Sequence, residues 1–175
     1  MSPDRVIALT FNRLFAPSHN TVIAGGAREP LYLPPGPDAR GVIRYTRNYA
    51  SSALHEISHW CIAGTERRRL VDYGYWYLPP PRSDAEQEAF FAVEARVQAL
   101  EWLFADAAGV SFHPSADDVH DGDSEIANNT AGRATFAERV EGNVAAWHSQ
   151  GIPKRANQML GALAGTVTTL EGAHG

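Results

Sequence analysis

With Cys61 as its one cysteine, the 175-residue chain can form no internal disulfide and can build no thiolate-rich zinc cage. An excess of positive charge is also missing. Fifteen Lys and Arg stand against 20 Asp and Glu, a formal net charge of -5, and a general nucleic-acid binder needs a basic footprint. No hydrophobic run is long enough to span a bilayer, since "ANQMLGALAGTVTTL" near the C-terminus is too short and too polar. The opening "MSPDRVIALTFNRLF" sets Asp4 ahead of an apolar run broken by Asn12 and Arg13, unlike a secretory signal. Internal repeats and nucleotide or flavin loops are absent too. These absences predict a soluble cytoplasmic protein that takes neither nucleic acid nor membrane as its partner.

What is present is the composition of a globular chain, 44% hydrophobic and 20% charged. Its length suits one domain over residues 1–175, able to bury roughly 70% of the surface its unfolded form exposes. Ile7, Phe11, Leu14 and Phe15 fall at helical spacing and predict a first helix ending before Pro17. "TVIAGG", "PLYLPP" and "GVIRYT" are short β-leaning runs punctuated by Gly and Pro, as in a small irregular sheet. A helix from about Tyr49 to Ala63 follows, with Gly64 expected to close it in the left-handed conformation. Ser83 and Glu86 make a capping box for a long helix to about Ala108. Two more helices near 131–149 and 153–169 complete a helix-rich α+β pattern with a minor sheet.

The chemistry begins at "HEISH". Residues four apart on a helix lie about 40° apart around the axis and about 6 Å along it, so His55 and His59 can aim ring nitrogens at one point. Leu54, Ile57 and Cys61 form a neighbouring stripe able to dock this zincin-like metal helix on the core and fix the ligands' direction. Glu56 completes His-Glu-x-x-His, which favours a metal over two histidines spaced by chance.

A third ligand is offered by the capped helix. Phe90, Val93, Val97, Leu100 and Phe104 read as its buried stripe, and Glu94, Gln98 and Glu101 occupy the adjoining line. A carboxylate on that line can point into the cleft between two packed helices. Glu94, nearer the middle of the helix, is the first choice and Glu101 the alternative, while an ordinary solvated acidic face competes with either. His113 and His120 rank lower because they sit in a polar, acidic stretch. Two imidazoles and one carboxylate leave coordination positions open. With zinc, those positions hold a water that Glu56 can deprotonate. With ferrous iron, the same set is a facial triad with room for dioxygen and substrate. The ligand types suit both ions.

The segments "EPLYLPP", "YASSALHEISHWCIAGTERRRLVDYGYWY" and "FAVEARVQALEWL" resemble the elongation factor P hydroxylase family of bacteria. Within them "HWCIAG", "ERRRLVDYGYWY" and "QALEW" are far more specific than the metal motif. The resemblance extends with gaps over nearly the whole chain. It implies an oxygen-dependent, non-haem iron monooxygenase that hydroxylates the modified lysine of elongation factor P after a lysyl group has been attached. His55 and His59 would ligate Fe(II), Glu94 or Glu101 would supply the carboxylate, and dioxygen would be the co-substrate.

Under that implication Glu56 loses its peptidase role, and holding a metal water, orienting a ligand or pairing with a substrate ammonium take its place. Tyr73, Tyr75, Trp76 and Tyr77 could wall a slot for a long aliphatic stem ending in ammonium, because ring faces attract cations. Covering the core beside the proline loop is their plainer use. Asp72 is a candidate salt-bridge counterpart, and Trp60 and Trp102 read as packing residues. Arg67, Arg68 and Arg69 concentrate positive charge for docking an acidic protein partner; as a helix exit, some of them would simply favour the negative end of the helix dipole. A zinc peptidase and a metal-stabilised protein-binding module are the competing functional classes.

Overall fold

The computed structural model describes residues 1–74, 83–115 and 130–172. Among these, helix α1 (Pro3–His19) leads into three strands, β1 (Thr21–Ala27), β2 (Leu31–Leu33) and β3 (Gly41–Thr46). Helices α2 (Ala50–Ile62), α3 (Asp84–Ala108), α4 (Thr130–Gln150) and α5 (Lys154–Gly172) follow. The chain is thus helix-rich with a small mixed sheet, the α+β class its pattern predicts. No helix among the described residues is long and apolar enough to cross a membrane.

The sheet runs β1-β3-β2, with β3 parallel to β1 and antiparallel to β2. Ile23 pairs with Ile43, and Ile43 with Tyr32 on the other side, so three buried side chains line up across one face. That face meets α1 and α2, where Ile7, Phe11 and Phe15 recur at helical spacing and are buried with Leu54, Ile57 and Trp60. Trp60 packs against Phe11 and Phe15 with ring centroids 5.1 and 4.9 Å apart, which seats the last turn of α2 on α1.

Two helix ends differ from their predicted form. α1 runs through Pro17 to His19 and closes at Asn20 in the left-handed conformation, φ 48°. A proline this near the end removes only one backbone bond, and His19 holds the last turn by edge contacts with Phe15 and Trp60. α2 leaves through Ala63 in an extended conformation (φ -57°, ψ 125°), and Gly64 does not adopt positive φ. The final carbonyls of α2 need no left-handed closure because arginines take them. Arg155 Nη2 donates to the carbonyls of Trp60, Cys61 and Ala63 at 3.2, 3.0 and 2.7 Å, and Arg68 Nη1 donates to Ala63 at 2.7 Å.

The long helix keeps its predicted start. Ser83 Oγ accepts from the Glu86 amide, and the Glu86 carboxylate accepts from the Ser83 amide at 2.8 Å. Its end is set by Gly109 at φ 64°. Its buried face differs from the predicted stripe. Val93 is exposed, whereas Phe91, Glu94, Ala95, Val97, Gln98, Leu100, Glu101 and Phe104 are buried. α3 packs against α2, α4 and α5, so it buries more than one stripe. Gln98 pins the segment after α3, accepting from the Ser115 amide at 3.0 Å and donating to the Ser115 carbonyl at 2.7 Å. Trp102 is half-buried and stacks on Phe112 at 5.3 Å.

Candidate metal centre

His55 lies in the middle of α2 and His59 in its last turn, with Leu54, Ile57, Trp60 and Cys61 buried around them. Docking the helix on that side turns both imidazoles toward α3. Their Nε2 atoms are 3.2 Å apart. Glu94 reaches both from α3, with Oε1 at 3.4 Å from His59 Nε2 and Oε2 at 3.5 Å from His55 Nε2. All three donor atoms lie within 4.8 Å of one another. Ligands bound about 2.1 Å from a single ion sit about 3.0 to 3.4 Å apart in octahedral or tetrahedral arrangement; the two Nε2 atoms meet that spacing, and each nitrogen has a different Glu94 oxygen within about 0.1 Å of that range.

Glu101 occupies a different place. Its Oε2 lies 2.9 Å from His55 Nδ1, on the far side of the ring from Glu94. A carboxylate on that nitrogen fixes the tautomer that leaves Nε2 free for a metal, and it raises the basicity of the ligand. The two acids between which the sequence alone leaves a choice therefore meet opposite nitrogens of the same imidazole.

The charge balance of the centre is negative. Glu56, Glu94 and Glu101 are all buried around two imidazoles. Burial pulls the His55 pKa down, but the hydrogen bond and charge of Glu101, together with Glu94 and Glu56, outweigh it and carry the imidazole up to about 10. Burial pushes the Glu94 carboxyl up, yet His59 and His55 hold it below its ordinary value. Glu56 goes the other way: burial raises it, the two histidines lower it, Glu94 and Asp72 raise it again, and the net direction is up. Groups of this kind, placed this close, can hold a metal ion.

The other predicted site residues are distributed as follows. Tyr73 is buried beside the centre, its ring parallel to those of Tyr32 at 4.4 Å and His59 at 6.2 Å. Tyr75, Trp76, Tyr77, His120 and most of the acidic stretch lie outside the described residues, and His113 is exposed. Asp72 forms no salt bridge in the described structure and instead accepts the Tyr32 amide at 2.7 Å. Arg67 and Arg69 are exposed, and Arg69 pairs with Glu66 at 3.2 Å. Arg68 is half-buried against Trp60 and caps α2, so the fold already uses it.

Sequence reasoning missed Tyr32 and Arg155. A tyrosine in a three-residue strand and one arginine near the C-terminus carry no local signal, since their partners lie about 40 and about 95 residues away. A groove of about 690 Å³ lies beyond the C-terminal turn of α2, lined by Ile62, Ala63, Arg67, Val93, Arg96 and Val97.

A family model described as elongation factor P hydroxylase matches residues 10–171. A curated protein of Haemophilus influenzae, elongation factor P lysine hydroxylase, is 40% identical over 167 residues, which covers 95% of this chain and 89% of that protein.

Proposed function

The chain belongs to the elongation factor P hydroxylase family, and from that premise we propose that it hydroxylates the lysylated lysine side chain of elongation factor P, using dioxygen and a non-haem Fe(II) held by His55, His59 and Glu94. The observation that carries the metal assignment is the convergence of two Nε2 atoms and one carboxylate at 3.2 to 3.5 Å. Three protein donors leave positions for dioxygen and substrate, and imidazole with carboxylate suits ferrous iron. When bound, that ion supplies the redox chemistry by which one oxygen atom of dioxygen enters a C–H bond and the other leaves as water, with two electrons and two protons from an external reductant.

The chain's own groups prepare the site. Glu101 orients His55 through Nδ1 and holds its other nitrogen toward the metal position. Glu56, whose carboxyl is pushed up by burial, is the group able to hold a proton or to accept a hydrogen bond from a substrate ammonium. Tyr75, Trp76 and Tyr77 are assigned the lysyl stem, with cation–π attraction of roughly 0.5–2 kcal/mol per ring for its ammonium, while Tyr73, buried between Tyr32 and His59, lies beside the metal position. Arg67 and Arg69, exposed beside the site, dock elongation factor P, and Arg68 lends positive charge from beneath. The whole of residues 1–175 acts as one hydroxylase domain in the cytoplasm, where its translation-factor substrate works.

Anaerobic reconstitution tests this reading. Protein loaded with ferrous iron is mixed with lysylated elongation factor P, air is admitted with a reductant, and the intact mass of the factor is measured. A gain of one oxygen atom that requires both iron and air is expected. Peptide cleavage with zinc would favour a peptidase instead, and a stable complex with unaltered mass would favour a binding module.

A further inference from the structure

We propose that Arg67–Gly74 is a strap whose Tyr73 ring sets the orientation of the His59 imidazole, which makes Tyr73 a positioning residue for the metal centre and Tyr32 the anchor of the strap. The inference rests on the reading of His59 as a metal ligand.

Three consecutive residues, Asp72, Tyr73 and Gly74, have φ of 47°, 60° and 65°. Glycine adopts this region freely and aspartate tolerates it, but for a bulky aromatic residue it is an outlier. Such a conformation persists only where its surroundings over-determine it, and it gathers at functional sites. Here the surroundings are identifiable. Tyr32 fastens the segment at two points: its amide donates to Asp72 Oδ1 at 2.7 Å, and its hydroxyl donates to the Arg68 carbonyl at 2.8 Å. The Tyr73 amide closes on the Leu70 carbonyl at 3.1 Å, and Arg67 Nη1 donates to the Tyr73 carbonyl at 3.4 Å. At Gly74, φ 65° would strain any other residue.

The result of this fastening is a stack. Tyr32 and Tyr73 are parallel within 8°, and Tyr73 and His59 within 13°. A relaxed backbone at residues 72–74 would turn the Tyr73 ring away, so the unusual conformation and the ring alignment are one feature. The imidazole of His59 is thereby bounded on one side by a ring that the sheet holds, while His55 meets it edge-on at 4.8 Å. His55 has Glu101 to fix its plane. His59, which also meets Glu94 through Nε2, has the strap along one side of its ring.

Cobalt(II) titration of the metal-free protein tests this without any turnover, reading both the dissociation constant and the visible ligand-field bands. Tyr73→Phe keeps the ring and is expected to bind within about twofold of the parent with the same bands. Tyr73→Leu is expected to bind about 10- to 100-fold more weakly, the range for removing an orienting partner, with altered bands. Asp72→Ala loosens the fastening without removing any buried ring, and a weakening of at least about fivefold is expected even if Tyr73→Leu does not fold. Cobalt binding by either Tyr73→Leu or Asp72→Ala at parental strength and with parental bands overturns the proposal. Failure of the parent itself to bind cobalt overturns the metal reading beneath it, which is a separate result.

Discussion

Replacing each of the two α3 carboxylates by its amide separates their roles at the His55 imidazole. In Glu101→Gln the side chain keeps its shape but loses its charge at Nδ1, where the carboxylate oxygen lies 2.9 Å away. With that contact, the width of the ring and a metal bond of about 2.1 Å, the ion sits roughly 6.5 Å from the lost charge. At an effective dielectric constant near 20, a unit charge at that distance is worth about 2.5 kcal/mol, and a dication about 5 kcal/mol. The metal must also displace the proton that the same field holds on His55, about 1 Å nearer the lost charge and so worth about 3 kcal/mol. The net loss is then about 2 kcal/mol, or about 30-fold in affinity, inside the roughly 10- to 100-fold range for such partners. Glu94→Gln removes a proposed ligand of the ion itself, so its loss should exceed that of Glu101→Gln by at least about tenfold. Chelator-competition titration with zinc or cobalt at neutral pH reads both constants. Glu101→Gln binding as tightly as the parent, or more weakly than Glu94→Gln, would refute this division of roles.

The metal-free protein should show a stability maximum in mildly acidic solution. His55 is raised above its ordinary 6.5 on folding, so its contribution is complete below pH 6.5 and is lost as pH rises toward 10; Glu94 is lowered from 4.5, so its contribution holds above that pH and is lost in acid. Melting curves in chelator should therefore fall on both sides of about pH 5 to 6.5, and a melting temperature that climbs between pH 7 and 9 would contradict the centre's electrostatics. Glu56→Gln should retain iron and measurable hydroxylation, and complete loss of turnover at unchanged iron content would assign Glu56 an obligatory proton transfer. Arg155→Met removes three hydrogen bonds to the end of α2 and the guanidinium 4.9 Å over Trp60. It should destabilise the fold by about 2–4 kcal/mol in denaturant unfolding, and a loss below about 0.5 kcal/mol would show that water satisfies those carbonyls equally well.

The sequence by itself determined what depends on neighbours within a turn or two. The histidines of "HEISH" share one helix face because helical geometry makes residues four apart converge. The start of α3 follows from Ser83 and Glu86, which satisfy each other's backbone across three residues. The strands are legible in their β-leaning runs between prolines and glycines, and the family is legible in the longer wording around the motif. Tertiary structure decided the rest. Glu94 and Glu101 are seven residues apart, about 20° around the helix and about 10 Å along it, so no periodic pattern distinguishes them. Only the height at which α3 packs on α2 brings one to the Nε2 side of His55 and the other to Nδ1. The end of α2 is closed by Arg68 and by Arg155 from α5, where local reading expects Gly64 to serve. Val93 is exposed because several helices, rather than one, choose which sides of α3 are covered. Tyr73 lies parallel to His59 in a segment bonded to a strand forty residues earlier. Each of these contacts joins groups distant in the chain, and their positions follow from how the elements pack, which no local window of sequence contains.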